Sequence, residues 1–187
     1  PEYKTGFDRN LWIWEEYDPN NNYFLSADVA RGDGQDSSAF HIFKTETMEL
    51  VAEYKGKIKV DMFAPLIYET SKEYGNCLTI VENNNIGISV LDKLKEMGHD
   101  YYSKKSTHDY VEQYLAEHQS TTVPGFATTS KTRPLIIAKL EELIRNKIIK
   151  IRSLRLHSEL KTFVWNHGRA EAMRGYNDDL VMSCAIA

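Results

Sequence analysis

Tyr23-Phe24-Leu25-Ser26-Ala27-Asp28-Val29 decides how this 187-residue chain is read. The stretch is apolar, follows the turn cluster Asp18-Pro19-Asn20-Asn21-Asn22 and precedes Arg31-Gly32-Asp33-Gly34-Gln35-Asp36, so it reads as a strand between two turns. Successive strand side chains point to opposite faces, which puts Phe24, Ser26 and Asp28 on one face and Tyr23, Leu25, Ala27 and Val29 on the other. Asp28 therefore closes the strand on one face. A carboxylate at the end of a buried strand is costly unless its charge is compensated, and a divalent cation does that better than a lone Lys.

Downstream, Ser38 to Lys44 and Glu49 to Tyr54 are two more β-branched or aromatic segments joined by short turns, predicting a three-stranded antiparallel meander. Met62 to Tyr74 has helical apolar spacing and stops at Gly75. Cys77 to Val81 is a nearly continuous apolar run, as expected of a parallel strand covered on both faces, and Ile86 to Met97 is a helix ending at Gly98. Further on, the pattern predicts helices over Arg133 to Asn146, Leu154 to Trp165 and Asn177 to Ala187, with a short strand from Ile148 to Arg152. Residues 1–21 read as a leading arm, and 103–130 as a polar excursion, a hairpin or loop. Meander, helix, parallel strand, helix, strand and terminal helices is the order of a ribonuclease H-like α/β fold: a central mixed sheet, three antiparallel strands then parallel ones, flanked by helices. The whole chain, residues 1–187, is expected to be one such domain.

Composition sets bounds. With 42% hydrophobic and 27% charged residues the chain can bury a full core. No apolar run approaches the roughly 20 residues that span a bilayer, so no membrane partner is expected. Pro1-Glu2-Tyr3-Lys4 is neither an initiator Met nor a signal peptide, and the chain reads as a piece of something longer. Cys77 and Cys184 fall within apolar elements and read as small core residues in a reducing cytosol. The net charge of −4 is unevenly spread: Arg145, Lys147, Lys150, Arg152 and Arg155 follow one another without an intervening acid.

Two further acidic features match Asp28. Glu82 ends the apolar run Leu78-Thr79-Ile80-Val81, and Asp178-Asp179 opens the last helix. Carboxylates from three elements suit Mg²⁺ or Mn²⁺, hard cations that take oxygen ligands and keep open positions for a phosphate. A pair of such ions about 3.5–4 Å apart can activate a water and stabilise a leaving oxygen, so phosphodiester hydrolysis is the expected reaction class. No G-x-x-x-x-G-K-[ST] loop occurs, so no ATP site is expected, and no Cys/His spacing suggests zinc. Gly32-Asp33-Gly34 fails as a dinucleotide loop because Ser37 stands at the third glycine and a strand follows.

Three motifs in order, Ser26 to Ser38, Ile80-Val81-Glu82-Asn83-Asn84 and Arg174-Gly175-Tyr176-Asn177-Asp178-Asp179-Leu180-Val181, resemble the nuclease motifs of the large terminase subunit of T4-like tailed bacteriophages. The resemblance implies a nuclease domain that cuts concatemeric double-stranded viral DNA in headful packaging. It further implies an N-terminal ATPase domain absent from this chain, a portal and a small terminase subunit as partners, and a place in the host cytoplasm, transiently docked on the prohead. It assigns Asp28, Glu82 and one of Asp178 and Asp179 as metal ligands and catalytic acids, with Asp179 favoured and Asp178 a second ligand or neighbour.

Asp36 and His167 are expected next to the metal ligands, Asp36 helping to hold the metal or ordering the first loop and His167 touching DNA or a water. Gly32 and Gly34 would let that loop approach a phosphate. Phosphate neutralisation supplies most sequence-independent affinity. The candidate DNA contacts are Lys104, Lys105, Lys131, Arg133, the Arg145, Lys147, Lys150, Arg152, Arg155 group, Arg169 and Arg174. Absence of a base-reading motif fits cleavage with little sequence preference. Fold alone does not fix substrate: a junction resolvase, an RNA–DNA hybrid nuclease, or a non-catalytic DNA-binding or portal-docking module are the rival readings.

Overall fold

The computed structural model describes residues 2–32, 34, 36–105 and 122–187, without the side chains of 104 and 105. Its centre is a six-stranded sheet in the order β1-β2-β5-β4-β3-β6. These strands are β1 (Lys4–Thr5), β2 (Leu11–Ile13), β3 (Tyr23–Asp28), β4 (Ser38–Lys44), β5 (Glu49–Gly56) and β6 (Leu78–Val81). β3, β4 and β5 form the expected antiparallel meander, and β6 pairs parallel to β3. The mixed α/β fold read from element order is the one observed.

Alternation along the strands separates two cores. Tyr23, Leu25, Ala27, Phe40, Ile42 and Tyr54 pack with α1 (Val60–Glu73) and α2 (Gly87–Glu96) through Phe63, Ile67, Val90 and Leu94. On the other face Phe24, Ala39 and Phe43 pack against α3 (Thr132–Arg145), α4 (Leu154–Thr162) and α5 (Asp179–Ile186). β6, expected to be covered on both faces, is the edge strand and is not: Thr79 and Val81 are buried, but Leu78 is 44% exposed and Ile80 only partly covered. Cys77 and Cys184 are buried and free, as core residues. Among the described residues, no helix is long and apolar enough to cross a membrane.

Four expectations about elements need correction or refinement. Residues 1–21 are more than a leading arm, because β2 hydrogen-bonds antiparallel to β5 and β1 to β2, extending the sheet. Ile148 to Arg152 is not a strand; Lys150 makes a single parallel bridge to Glu49, so only one position of the segment reaches the ladder. The helix expected through Trp165 ends at Thr162, and Phe163–Asn166 becomes β9, paired with β10 (Arg169–Ala172). His167 (φ 47°) and Gly168 (φ 79°) are both left-handed, the signature of a two-residue type I′ hairpin. Aromatic and β-branched Phe163, Val164 and Trp165 favour the extended form once this turn is available. In the 103–130 excursion, β7 (Ser103–Lys105) and β8 (Thr122–Pro124) pair antiparallel, and 106–121 lie outside the described residues.

Candidate active site

Register assembles the site. Asp28 on β3 stands opposite Ala39 on β4, and Ala39 opposite Lys55 on β5. On the other side Ser26 is matched with Ile80 of β6, so Glu82, two residues further, falls beside Asp28 on the same face. Its backbone N–H donates to the Ala27 carbonyl at 2.9 Å, fixing that placement. Glu82, Asp28, Ala39 and Lys55 thus form one row across the strand ends. The first turn of α5 comes down over it, and Ala39 in the middle of the row is fully buried against Leu180 and Val181.

Asp28, Asp36, Glu82, Asp178 and Asp179 line a single cleft of about 420 Å³, together with Arg31, Asn84 and Arg133. Burial, and then the neighbouring Glu82 carboxyl, push the Asp28 carboxyl well above its usual range; Asp179 and Asp178 add to the repulsion. Glu82 is held by Asn84, whose Nδ2 donates to Glu82 Oε2 at 2.6 Å and to the Val29 carbonyl at 3.1 Å. Asn84 Oδ1 accepts the N–H groups of Ile86 (3.0 Å) and Gly87 (2.6 Å) at the start of α2. One side chain therefore ties the second acid to the end of β3 and to a helix N-terminus.

The α5 acids separate. Asp179 is 5% exposed, and every contact described for it is made by Oδ2: the Ser37 N–H at 3.2 Å, Asn177 Nδ2 at 3.3 Å and Lys55 Nζ at 3.5 Å. Burial raises its carboxyl pKa, and Lys55 and the Ser37 N–H oppose that shift. Asp178 is more open and pairs with Arg133 Nη2 at 2.8 Å. Asp179 is thus the acid set by the core and Asp178 the one held from the rim by an arginine. Among the described residues, no three of His, Cys, Asp and Glu stand close enough to hold one ion as they are. Lys55 and Arg133 are each paired with one of the two carboxylates at the start of α5. The donor set is still all carboxylate oxygen, which is the chemistry of a hard divalent ion.

Other expected residues are scattered. Asp36 lines the cleft. His167 does not; it sits on the turn between β9 and β10, with Nδ1 2.6 Å from Asn166 Oδ1. Of the basic residues expected to meet DNA, Arg133 lines the cleft, while Arg169 lines a neighbouring one of about 420 Å³ that shares Arg133 and includes Thr128, Thr129, Ser130 and Trp165. Arg152 pairs with Glu15 and Glu49, and Arg155 with Glu53 while lying 3.6 Å over the Trp12 ring, so both brace the β2–β5 side of the sheet. Arg145 pairs with Glu141 one helical turn away. Lys131, Lys147, Lys150 and Arg174 are exposed and do not line the acidic cleft, and the side chains of Lys104 and Lys105 lie outside the described residues.

Three residues near the acids escaped sequence reasoning. Arg31 lines the cleft from within the first motif. Lys55 was hidden as one more charge on β5, although a charged residue alternating with Glu53 on a buried strand is a detectable anomaly. Glu159 gave no signal, because its position beside α5 exists only after α4 packs.

Gly32 (φ 79°) turns the first loop so closely against α1's approach that a Cβ would run into the Ile58 carbonyl. At Gly34 a Cβ would meet nothing within 4 Å, so the close approach belongs to Gly32. Asp33 and Gln35 lie outside the described residues.

Against solved structures, the chain is similar to the large terminase nuclease from thermophilic phage G20c with bound magnesium: TM-score 0.78, 18% identity, over 99% of this chain and 88% of that one. The Thermus phage P74-26 large terminase nuclease domain gives a TM-score of 0.74 at 18% identity, over 98% and 87%. The fold is shared. The G20c nuclease with bound zinc matches at a TM-score of 0.71. No family model matches the chain.

Proposed function

We propose that this chain is a metal-dependent endonuclease domain acting on double-stranded DNA, the nuclease part of a large terminase subunit of a tailed bacteriophage. The observation that carries the reading is the convergence of Asp28, Glu82, Asp178 and Asp179, from three elements, on one cleft within a fold shared with terminase nucleases. Asp28, Glu82 and Asp179 are the ligands, with Asp178 as the outer fourth; Mg²⁺ or Mn²⁺, as a pair of ions, is the cofactor. When bound, such ions supply Lewis-acid activation of water and charge for the leaving oxygen.

The chain's own residues do the rest. Asn84 presents Glu82, the sheet row presents Asp28, and the Ser37 N–H holds Asp179. Arg31 and Arg133 stand where the phosphates flanking the cut would lie, and the second cleft, with Arg169 and its hydroxyls, continues the path of a strand. The reaction is headful cutting of concatemeric viral DNA, with an N-terminal ATPase domain, portal and small terminase subunit as partners, in the host cytoplasm on the prohead.

Asp28→Asn tests the reading. Plasmid cleavage in Mn²⁺ is expected to fall by about three orders of magnitude, the several kcal/mol that charge stabilisation supplies. Cutting at the parental rate would remove Asp28 from the chemistry. Comparison of linear duplex, four-way junction and RNA–DNA hybrid substrates fixes the substrate class, and gel-shift retention without hydrolysis would favour a DNA-binding or portal-docking module.

A further inference from the structure

Lys55 is the unusual member of the row. Its side chain is one-fifth exposed, and its ammonium lies 3.5 Å from Asp179 Oδ2 and is bonded to Glu159, itself 8% exposed. Glu159 also accepts the N–H groups of Leu180 (2.8 Å) and Val181 (3.1 Å) through Oε2, while Oε1 takes Lys55. One carboxylate therefore grips the first turn of the helix that carries Asp179 and the cation beside Asp179. Burial raises the Glu159 pKa, and Lys55 opposes that shift.

We propose that Lys55 is an internal cation competing with the divalent ion for Asp179, and that Glu159 is the positioning residue that restrains it. The inference rests on the metal-dependent reading above and adds its regulation by the chain itself. Two observations favour competition over simple packing. Lys55 approaches the same oxygen, Oδ2, that the Ser37 N–H and Asn177 orient, so a swing of its ammonium away from Glu159 would bring it fully onto the third acid. Arg133, moreover, pairs with the neighbouring Asp178, so both carboxylates at the start of α5 carry a cation of the chain's own. Ligating carboxylates depend on such outer partners, whose loss typically costs about 10–100-fold in metal affinity.

Mn²⁺ binding to the protein without DNA, by titration calorimetry, is the test. Glu159→Gln keeps an oxygen for the helix N–H groups but releases the ammonium, and should weaken Mn²⁺ about 10–100-fold. Adding Lys55→Gln to that variant removes the competitor and should restore affinity to within about threefold of the parent, a coupling that loss of packing would not produce. Parental affinity in Glu159→Gln, or no recovery in the double variant, overturns the proposal. If Glu159→Gln does not fold, Lys55→Gln alone decides: Mn²⁺ should bind at least as tightly as in the parent, and weakening overturns it. A parent that binds no Mn²⁺ would instead sink the nuclease reading itself, as would parental cutting by Asp28→Asn.

Discussion

The two faces of the sheet are built on different chemistry. On the α1–α2 face the strands contribute Leu25, Ala27, Phe40, Ile42 and Tyr54, with stacked rings at Phe40–Tyr54 and Phe40–Phe63. On the α4–α5 face the same strands contribute, beside the apolar Phe24, Ala39 and Phe43, the polar Ser26, His41, Glu53 and Lys55. There His41 lies 3.0 Å from both Ser183 Oγ and Glu53 Oε2, Ser183 donates to the Ser26 carbonyl, and Glu53 takes Ser153 and Arg155. His41, Arg155 and Ser153 outweigh burial and hold the Glu53 carboxyl below its usual range. The contrast teaches that the dry face is a floor and the wet face a fixture. Non-directional apolar burial suffices to hold strands on helices, whereas the placement of an acidic helix end needs directional bonds that fix α5 in rotation and register.

The largest break in that contrast is Asp28→Asn, where cutting is lost while the fold stays. Next comes Phe63→Ala on the dry face: about 3–5 kcal/mol of stability should go, by the cavity left in a fully buried site. Denaturant unfolding measures it, and cleavage well below the transition should stay near parental. Ser183→Ala on the wet face should cost less, about 1–3 kcal/mol for the buried partners left unsatisfied. Because it loosens α5, Mn²⁺ affinity should fall with it; stability loss without a change in Mn²⁺ affinity would make the wet face a second floor.

The smallest effect is a pH dependence. Asp28 has a folded pKa raised above its ordinary 3.8, so the metal-free parent binds more protons folded than unfolded and loses stability as pH rises from there through the folded value. Asn cannot ionise. The melting temperature of Asp28→Asn in EDTA should match or trail the parent near pH 3.8 and exceed it progressively above. A difference that shrinks with rising pH would mean that the acids do not repel one another.

Much of the fold was legible because period-2 alternation and apolar runs are local: β4 falls on Ser38–Lys44 as expected, β3 and β5 within two residues, and β6 within one. The hairpin at Phe163–Ala172 was missed because helical and extended patterns coincide over Leu154 to Trp165, and the left-handed turn at His167-Gly168 decides between them. The arm at 1–21 was missed because β1 and β2 are only two and three residues long and are strands only by virtue of β5.

Sequence by itself determined the two-sided sheet, its helices, and which carboxylates end strands or open a helix, since these follow from spacing along one chain. Tertiary structure decided which charges meet. It put Arg152 and Arg155 into the β2–β5 brace, Arg133 on Asp178, and Lys55 between Asp179 and Glu159. The physical reason is range: backbone periodicity is set by neighbours in sequence, whereas these ion pairs depend on a few ångströms between residues 45 or more positions apart.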